Sequence, residues 1–151
     1  MSDLKSKLEN EMKEAMKTGN SVRLSVIRLL RSSIRNREIE KGKGASLNDR
    51  EVTEVIVSAV KQRHDSIEQF AKGNRNDLVE REKSELEILQ SFLPEPMSET
   101  EIRSLVARVI SESGASGMKD MGKVMKVLAP QVVGRADNAT VSRLVKESLS
   151  S

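Results

Sequence analysis

The chain has 151 residues, enough for one domain or two small ones with a core that needs no covalent staples. It has no cysteine, which excludes disulfides, thiolate chemistry and cysteine zinc sites, and with only Phe70 and Phe92 as aromatics the core falls to Leu, Ile, Val, Met and Ala. Charged residues make up 32% of the chain, which points to helices rather than strands, and a net charge of +3 permits an anionic partner without requiring one.

The first helix is written by Leu4, Leu8, Met12 and Ala15 or Met16, a single apolar stripe among charges. Thr18-Gly19-Asn20 supplies a terminating glycine and a residue able to cap the next helix. The second helix spans Ser21 to Lys41 and turns Val22, Val26, Leu29, Leu30, Ser33 and Ile34 inward. After Gly42-Lys43-Gly44-Ala45, a capping-box-like Ser46-Leu47-Asn48-Asp49 opens a long third helix. That helix buries Val52, Val55, Ile56, Ala59, Val60, Ile67 and Phe70 and stops at Lys72-Gly73-Asn74. A fourth begins near Asn76 or Asp77, places Leu78, Val79, Leu86, Leu89 and Phe92 inward, and ends at Leu93-Pro94.

Pro94-Glu95-Pro96-Met97 cannot continue a helix and divides the chain. Residues 1–93 are expected as a four-helix unit, 94–97 as the linker and 98–151 as a three-helix unit. Ser98-Glu99-Thr100-Glu101 reads as a capping box ahead of Ile102, Leu105, Val106, Val109 and Ile110, and Gly114 ends that fifth helix. Ser116 or Gly117 opens a sixth, with Met118, Met121, Val124, Met125 and Leu128 apolar and Pro130 as its stop. Asp137 caps a seventh that buries Val141, Leu144, Val145 and Leu149. The expected class is all-α.

No apolar run approaches the roughly 18 residues of a membrane span. The opening MSDLKSKLENEMKEAMK has no hydrophobic block of the secretory kind, and a soluble, cytoplasmic protein is expected.

Charge concentrates in two places. From Met118 onward six basic residues, Lys119, Lys123, Lys126, Arg135, Arg143 and Lys146, face Asp120, Asp137 and Glu147. The spacing i, i+4, i+7 puts Lys119, Lys123 and Lys126 on one side, with Arg135, Arg143 and Lys146 approaching from the next loop and helix. Such a surface suits a nucleic-acid backbone, and without an aromatic to stack bases it fits the shape of a folded RNA better than a single strand. Gly134-Arg135-Ala136-Asp137 also has a purely structural reading, in which the glycine turns the backbone and the aspartate caps. The second cluster is Arg28, Arg31 and Arg35 on the second helix, a secondary basic face. It reads either as a phosphate-tracking surface or as a set of partners for neighbouring glutamates.

Other motifs yield less. Gly117-Met118-Lys119-Asp120-Met121-Gly122-Lys123 spells GxxxxGK, but Val124 stands where a hydroxyl should hold magnesium and no buried strand precedes it. His64 is the single histidine, with no second His or Cys to complete a metal site, and reads as a surface side chain. Glu80, Glu82, Glu85 and Glu87 form either a solvated face or partners for the basic second helix.

The chain resembles the GatB/YqeY family in its stand-alone YqeY-like branch. The resemblance covers nearly the whole sequence. It rests on Lys61-Gln62-Arg63 with Ser66-Ile67-Glu68-Gln69-Phe70, on Leu86-Glu87-Ile88-Leu89 leading to Leu93-Pro94, on Met121-Gly122-Lys123-Val124-Met125-Lys126, and on Gly134-Arg135-Ala136-Asp137. It implies two helical bundles, of four helices and then three. In the larger relatives, the GatB subunits of tRNA-dependent amidotransferases, a similar module forms a C-terminal tail that helps hold misacylated tRNA. The segments matching that tail are Gly122–Lys126 and Gly134–Asp137. The catalytic domain of those proteins, with its ATP and metal ligands, has no counterpart in 151 residues, so no catalytic residue, cofactor or metal is expected. A label of carbon–nitrogen ligase with glutamine as amido-N-donor would be inherited from the relatives. The resemblance therefore implies a non-catalytic tRNA-binding or tRNA-associated module. The alternative is an adaptor for an amidotransferase or aminoacyl-tRNA synthetase.

Overall fold

The computed structural model describes residues 3–150, which form seven α-helices and one 3-10 turn, with no strand among the described residues. The fold is all-α. It separates into two compact units, Met1–Leu93 and Pro94–Ser151, of which residues 1, 2 and 151 lie outside the described stretch.

The first unit holds α1 (Asp3–Thr18), α2 (Ser21–Lys41), α3 (Asp49–Lys72) and α4 (Asn76–Gln90). The α1–α2 corner is set locally. Gly19 takes φ +71°, which a side chain would resist, and the Asn20 side chain accepts from the Arg23 N–H at 3.1 Å. The cap of α3 lies two residues beyond the expected start. Asn48 accepts from Glu51 N–H and the Glu51 carboxylate accepts from Asn48 N–H, a closed capping box, while Leu47 is drawn into the core. Ser46 is left to meet Lys5 and takes no part in the cap.

The core of this unit joins Leu8 to Val26, Ile27, Leu30 and Ile34 of α2, Val52, Val55 and Ile56 of α3, and Leu89 and Phe92. Each such side chain contributes about 1.5–3 kcal/mol by leaving water. The buried stripe of α2 is rotated from the expected one: Ile27 is fully buried, while Val22 and Leu29 are about half exposed. Phe92 follows α4 and is sealed by cations, with Arg23 Cζ 5.3 Å and Lys7 Nζ 5.9 Å from the ring centroid.

Beyond this core α3 and α4 are joined by charge. Arg63 Nε lies 3.2 Å from Glu85 Oε2 and 3.5 Å from Glu82 Oε2 at a part-buried position, and Glu85 is the buried charged residue of the described chain. Glu82 and Glu85 thus find their basic partner on α3 and not on α2, while Glu80 and Glu87 are exposed, as the solvated-face alternative has it.

The second unit holds α5 (Glu99–Ser113), a 3-10 turn (Met118–Asp120), α6 (Met121–Val132) and α7 (Asn138–Ser150). Ser98 accepts from Glu101 N–H at 3.1 Å to start α5, and Gly114 at φ +71° ends it. Ile102, Val106 and Val109 of α5 pack on Val124, Leu128 and Val132 of α6 and on Val141, Leu144, Val145 and Leu149 of α7. Pro130 does not end α6 as expected, and the helix runs on to Val132. The reason is packing: Val124, Leu128 and Val132 form a stripe at i, i+4 and i+8, and Val132 reaches the core only if helical geometry persists past the proline. Asp137 caps α7, its carboxylate accepting from Thr140 N–H at 3.0 Å and from the Thr140 hydroxyl at 2.7 Å.

Candidate nucleic-acid interface

Six cations of the second unit were expected to converge, and the structure sorts them into two groups. Arg143 on α7 pairs with Glu147 at 3.0 Å and with Glu99 at 3.5 Å, and Arg103 pairs with the same two acids at 3.2 and 2.9 Å. This is a closed network of two guanidiniums and two carboxylates between α5 and α7. Hydrogen bonding by Arg103, with the charge of Arg143 beside it, holds the Glu99 carboxyl below its ordinary range. Arg135 donates through Nε to the Glu95 carbonyl at 2.9 Å and lies 3.6 Å from Glu101. Its own carbonyl accepts from Met97 N–H at 2.9 Å, so Arg135 ties the loop after α6 to the segment that leads into α5. Both arginines are engaged within the unit, and the expectation that they stand free beside the lysines is corrected.

The lysines behave differently. Lys119, Lys123, Lys126 and Lys146 are exposed, and among the described residues none of them has an acidic partner. Lys123 Nζ donates to the Ser113 carbonyl at 3.0 Å, closing the C-terminal end of α5 where the helix dipole is negative. Lys123 and Lys126 share a face of α6 at i, i+3. Lys119 precedes them on the 3-10 turn, so the single helical row expected through all three is broken at Asp120. Lys146 lies at i+3 from Arg143 on α7 and belongs by that spacing with the arginine group.

Helix α5 measures how far apart the groups are. Arg143 touches its first residue and Lys123 its last, and fourteen steps of about 1.5 Å separate them by roughly 20 Å. Around the start of α6 Lys119, Lys123 and Lys126 are exposed with no acidic partner among the described residues. There Gly122 has nothing within 4 Å of where a side chain would begin, so its backbone is open to approach. Gly117 is extended and equally open, and α5 with a loop precedes it, which removes the strand context a phosphate-binding loop needs.

In the first unit the alternatives for Arg28, Arg31 and Arg35 also part. All three are exposed, and none makes an ion pair among the described residues. Arg31 Nη1 instead lies 3.0 Å from Met12 Sδ. The three line a cleft of about 530 Å³ between α1 and α2, together with Lys5, Leu8, Ile34 and Glu38. Sequence reasoning missed this concavity, because it depends on how α1 crosses α2. His64 is exposed, and no group of three or more His, Cys, Asp or Glu among the described residues could hold a metal ion.

A model of the Yqey-like protein family matches residues 5–149. The chain belongs to this family. Among curated relatives it is 40% identical over 107 residues to the "altered inheritance of mitochondria protein 41, mitochondrial" of Lachancea thermotolerans, covering 70% of the chain and 57% of that protein. It is 34% identical to the Candida glabrata protein of the same name over 62% of the chain and 52% of that protein. The Pyrenophora tritici-repentis protein matches at 31% over 93% of the chain and 78% of its own length. The chain thus spans little more than half the length of the Lachancea and Candida relatives. All three are named as mitochondrial, and this overturns the cytoplasmic placement. That expectation rested on the lack of a secretory hydrophobic block. Mitochondrial transit peptides are amphipathic and arginine-rich, so such a lack says nothing about that compartment. No helix among the described residues is long and apolar enough to cross a membrane.

Proposed function

We propose that this Yqey-like protein is a non-catalytic, tRNA-associated helical module whose second unit meets the RNA backbone through Lys119, Lys123 and Lys126. The observation that carries the reading is the split within that unit. Arg103, Arg135 and Arg143 are matched by Glu99, Glu101 and Glu147 and Arg108 bonds to Gln131, whereas Lys119, Lys123 and Lys126 around the start of α6 have no acidic partner among the described residues. Ammonium groups on flexible stems beside an uncovered backbone at Gly122 suit phosphates as point charges. Neither Phe70 nor Phe92 lies in this unit, so bases have no aromatic to stack on and recognition is of backbone and shape.

Filter binding with total tRNA tests this. Three phosphate contacts give a log–log salt slope of about −2 to −3. Lys123→Glu/Lys126→Glu should weaken binding by about tenfold or more and flatten that slope by about 2. Unchanged binding by the double variant would exclude this surface. Turnover of glutamine or glutamyl-tRNA by the purified chain would overturn the non-catalytic assignment.

A further inference from the structure

The cleft between α1 and α2 has a different chemistry from the lysine surface. Arg28, Arg31, Arg35 and Ile39 fall at i, i+3, i+7 and i+11 along one face of α2, with Ser32 between them. Leu8 and Ile34 form the floor. A second cleft of about 480 Å³ continues from Arg35 and Glu38 past Ile39 to Gly42, Lys43 and Ala45. The two share Arg35 and Glu38, so together they form a groove along the C-terminal half of α2. From Arg28 to Lys43 that is roughly 20 Å at about 1.5 Å per residue.

Charge along the groove is unequal. Arg28, Arg31, Arg35 and Lys43 have no acidic partner among the described residues. The two acids are already engaged. Glu38 pairs with Lys5 and accepts from Leu47 N–H at 3.0 Å, which holds its carboxyl below the ordinary range. Glu9 lies 3.8 Å from Lys13. Ile39, 67% exposed, is the most exposed large hydrophobic side chain of the described chain, and it lies at the end of the arginine row.

We infer that this groove receives an acidic amphipathic helix of a partner protein. Guanidiniums one and two helical turns apart, at about 5 and 10 Å, match carboxylates spaced i, i+3 or i+4 and i+7 on a facing helix. Planar arginine forks bind carboxylates bidentately. An apolar residue on the same face of the guest meets Ile39, in the helix-in-groove mode of recognition. A single nucleic-acid strand fits less well, since no aromatic lines the groove to stack a base.

The test uses the full chain and a fluorescein-labelled designed peptide of about four helical turns, with Glu at i, i+3 and i+7 and Leu on the same face. Anisotropy titrations compare it with a scrambled peptide of equal charge and with total tRNA. The designed peptide should bind, and Arg28→Glu/Arg35→Glu should weaken it about tenfold while leaving tRNA binding unchanged. Ile39→Asp, at an exposed position, should weaken it as well, and circular dichroism melts confirm that both variants remain folded. Lys123→Glu/Lys126→Glu should leave the peptide titration unchanged. Equal binding of the scrambled peptide, or an intact titration in both groove variants, overturns the inference. Loss of tRNA binding in Arg28→Glu/Arg35→Glu would instead assign the groove to RNA.

Discussion

The arginines of α2 and those of the second unit both stand in stretches of net positive charge, and they come to opposite ends. Arg135 and Arg143 lie against acids that α5 and α7 bring to them, and their charges are matched there. Arg28, Arg31 and Arg35 line a cleft whose carboxylates, Glu9 of α1 and Glu38 of α2, lie against lysines of α1, and they remain exposed. The sign of the local charge is the same in both cases; the placement of the neighbouring glutamates separates them.

The largest way to disturb this contrast is from below the groove. Ile34 is 5% exposed and belongs to both the core and the groove floor, so Ile34→Ala should cost about 2–5 kcal/mol and lower the melting temperature of the first unit. An unshifted melt would mean that α1 does not close over Ile34.

A smaller effect lies in the second unit at Asp137. Its carboxyl is held below its ordinary value of 3.8 by the Thr140 hydroxyl and backbone N–H. A depressed folded value stabilises the fold above pH 3.8, and the benefit is lost as the pH falls through the folded value. Asp137→Ala should therefore cost about 1 kcal/mol near neutrality. In chemical denaturation followed across pH, the gap to the parent chain should narrow as the solution is acidified below pH 3.8. A gap that widens on acidification would contradict the cap.

The smallest expected change sharpens the comparison most. Arg143→Ala breaks two exposed ion pairs and should alter stability by less than about 1 kcal/mol. It should leave tRNA affinity where it was, unlike the lysine variants. A drop in affinity comparable to theirs would return Arg143 to the nucleic-acid surface.

Much of the fold was legible because it is decided locally. Gly19 with Asn20, Ser98, Gly114 and Asp137 start or stop helices through contacts within a few residues, and the sequence carries those signals whole. Asn48 displaced Ser46 because Leu47 had a place in the core, a fact of packing that no local motif contains. Val22 and Leu29 look like core by spacing, but α2 turns Ile27 inward instead, since the direction of burial is set by where α1 and α3 lie. The site was harder to read for the same reason. Glu99 and Arg143 lie far apart in sequence, and their pairing depends on the packing of α5 against α7.

Pro130 also bears on how the second unit comes apart. Proline has no amide hydrogen to offer, so the Lys126 carbonyl loses its rung four residues on, and the end of α6 is held by Val132 in the core and by the Arg135 and Ala136 N–H groups that donate to the Val132 carbonyl. Solvent deuterium should therefore enter this unit first at the carboxyl end of α6. From there the breach would spread into the turn at Gly134, ahead of the opening of α5 or α7.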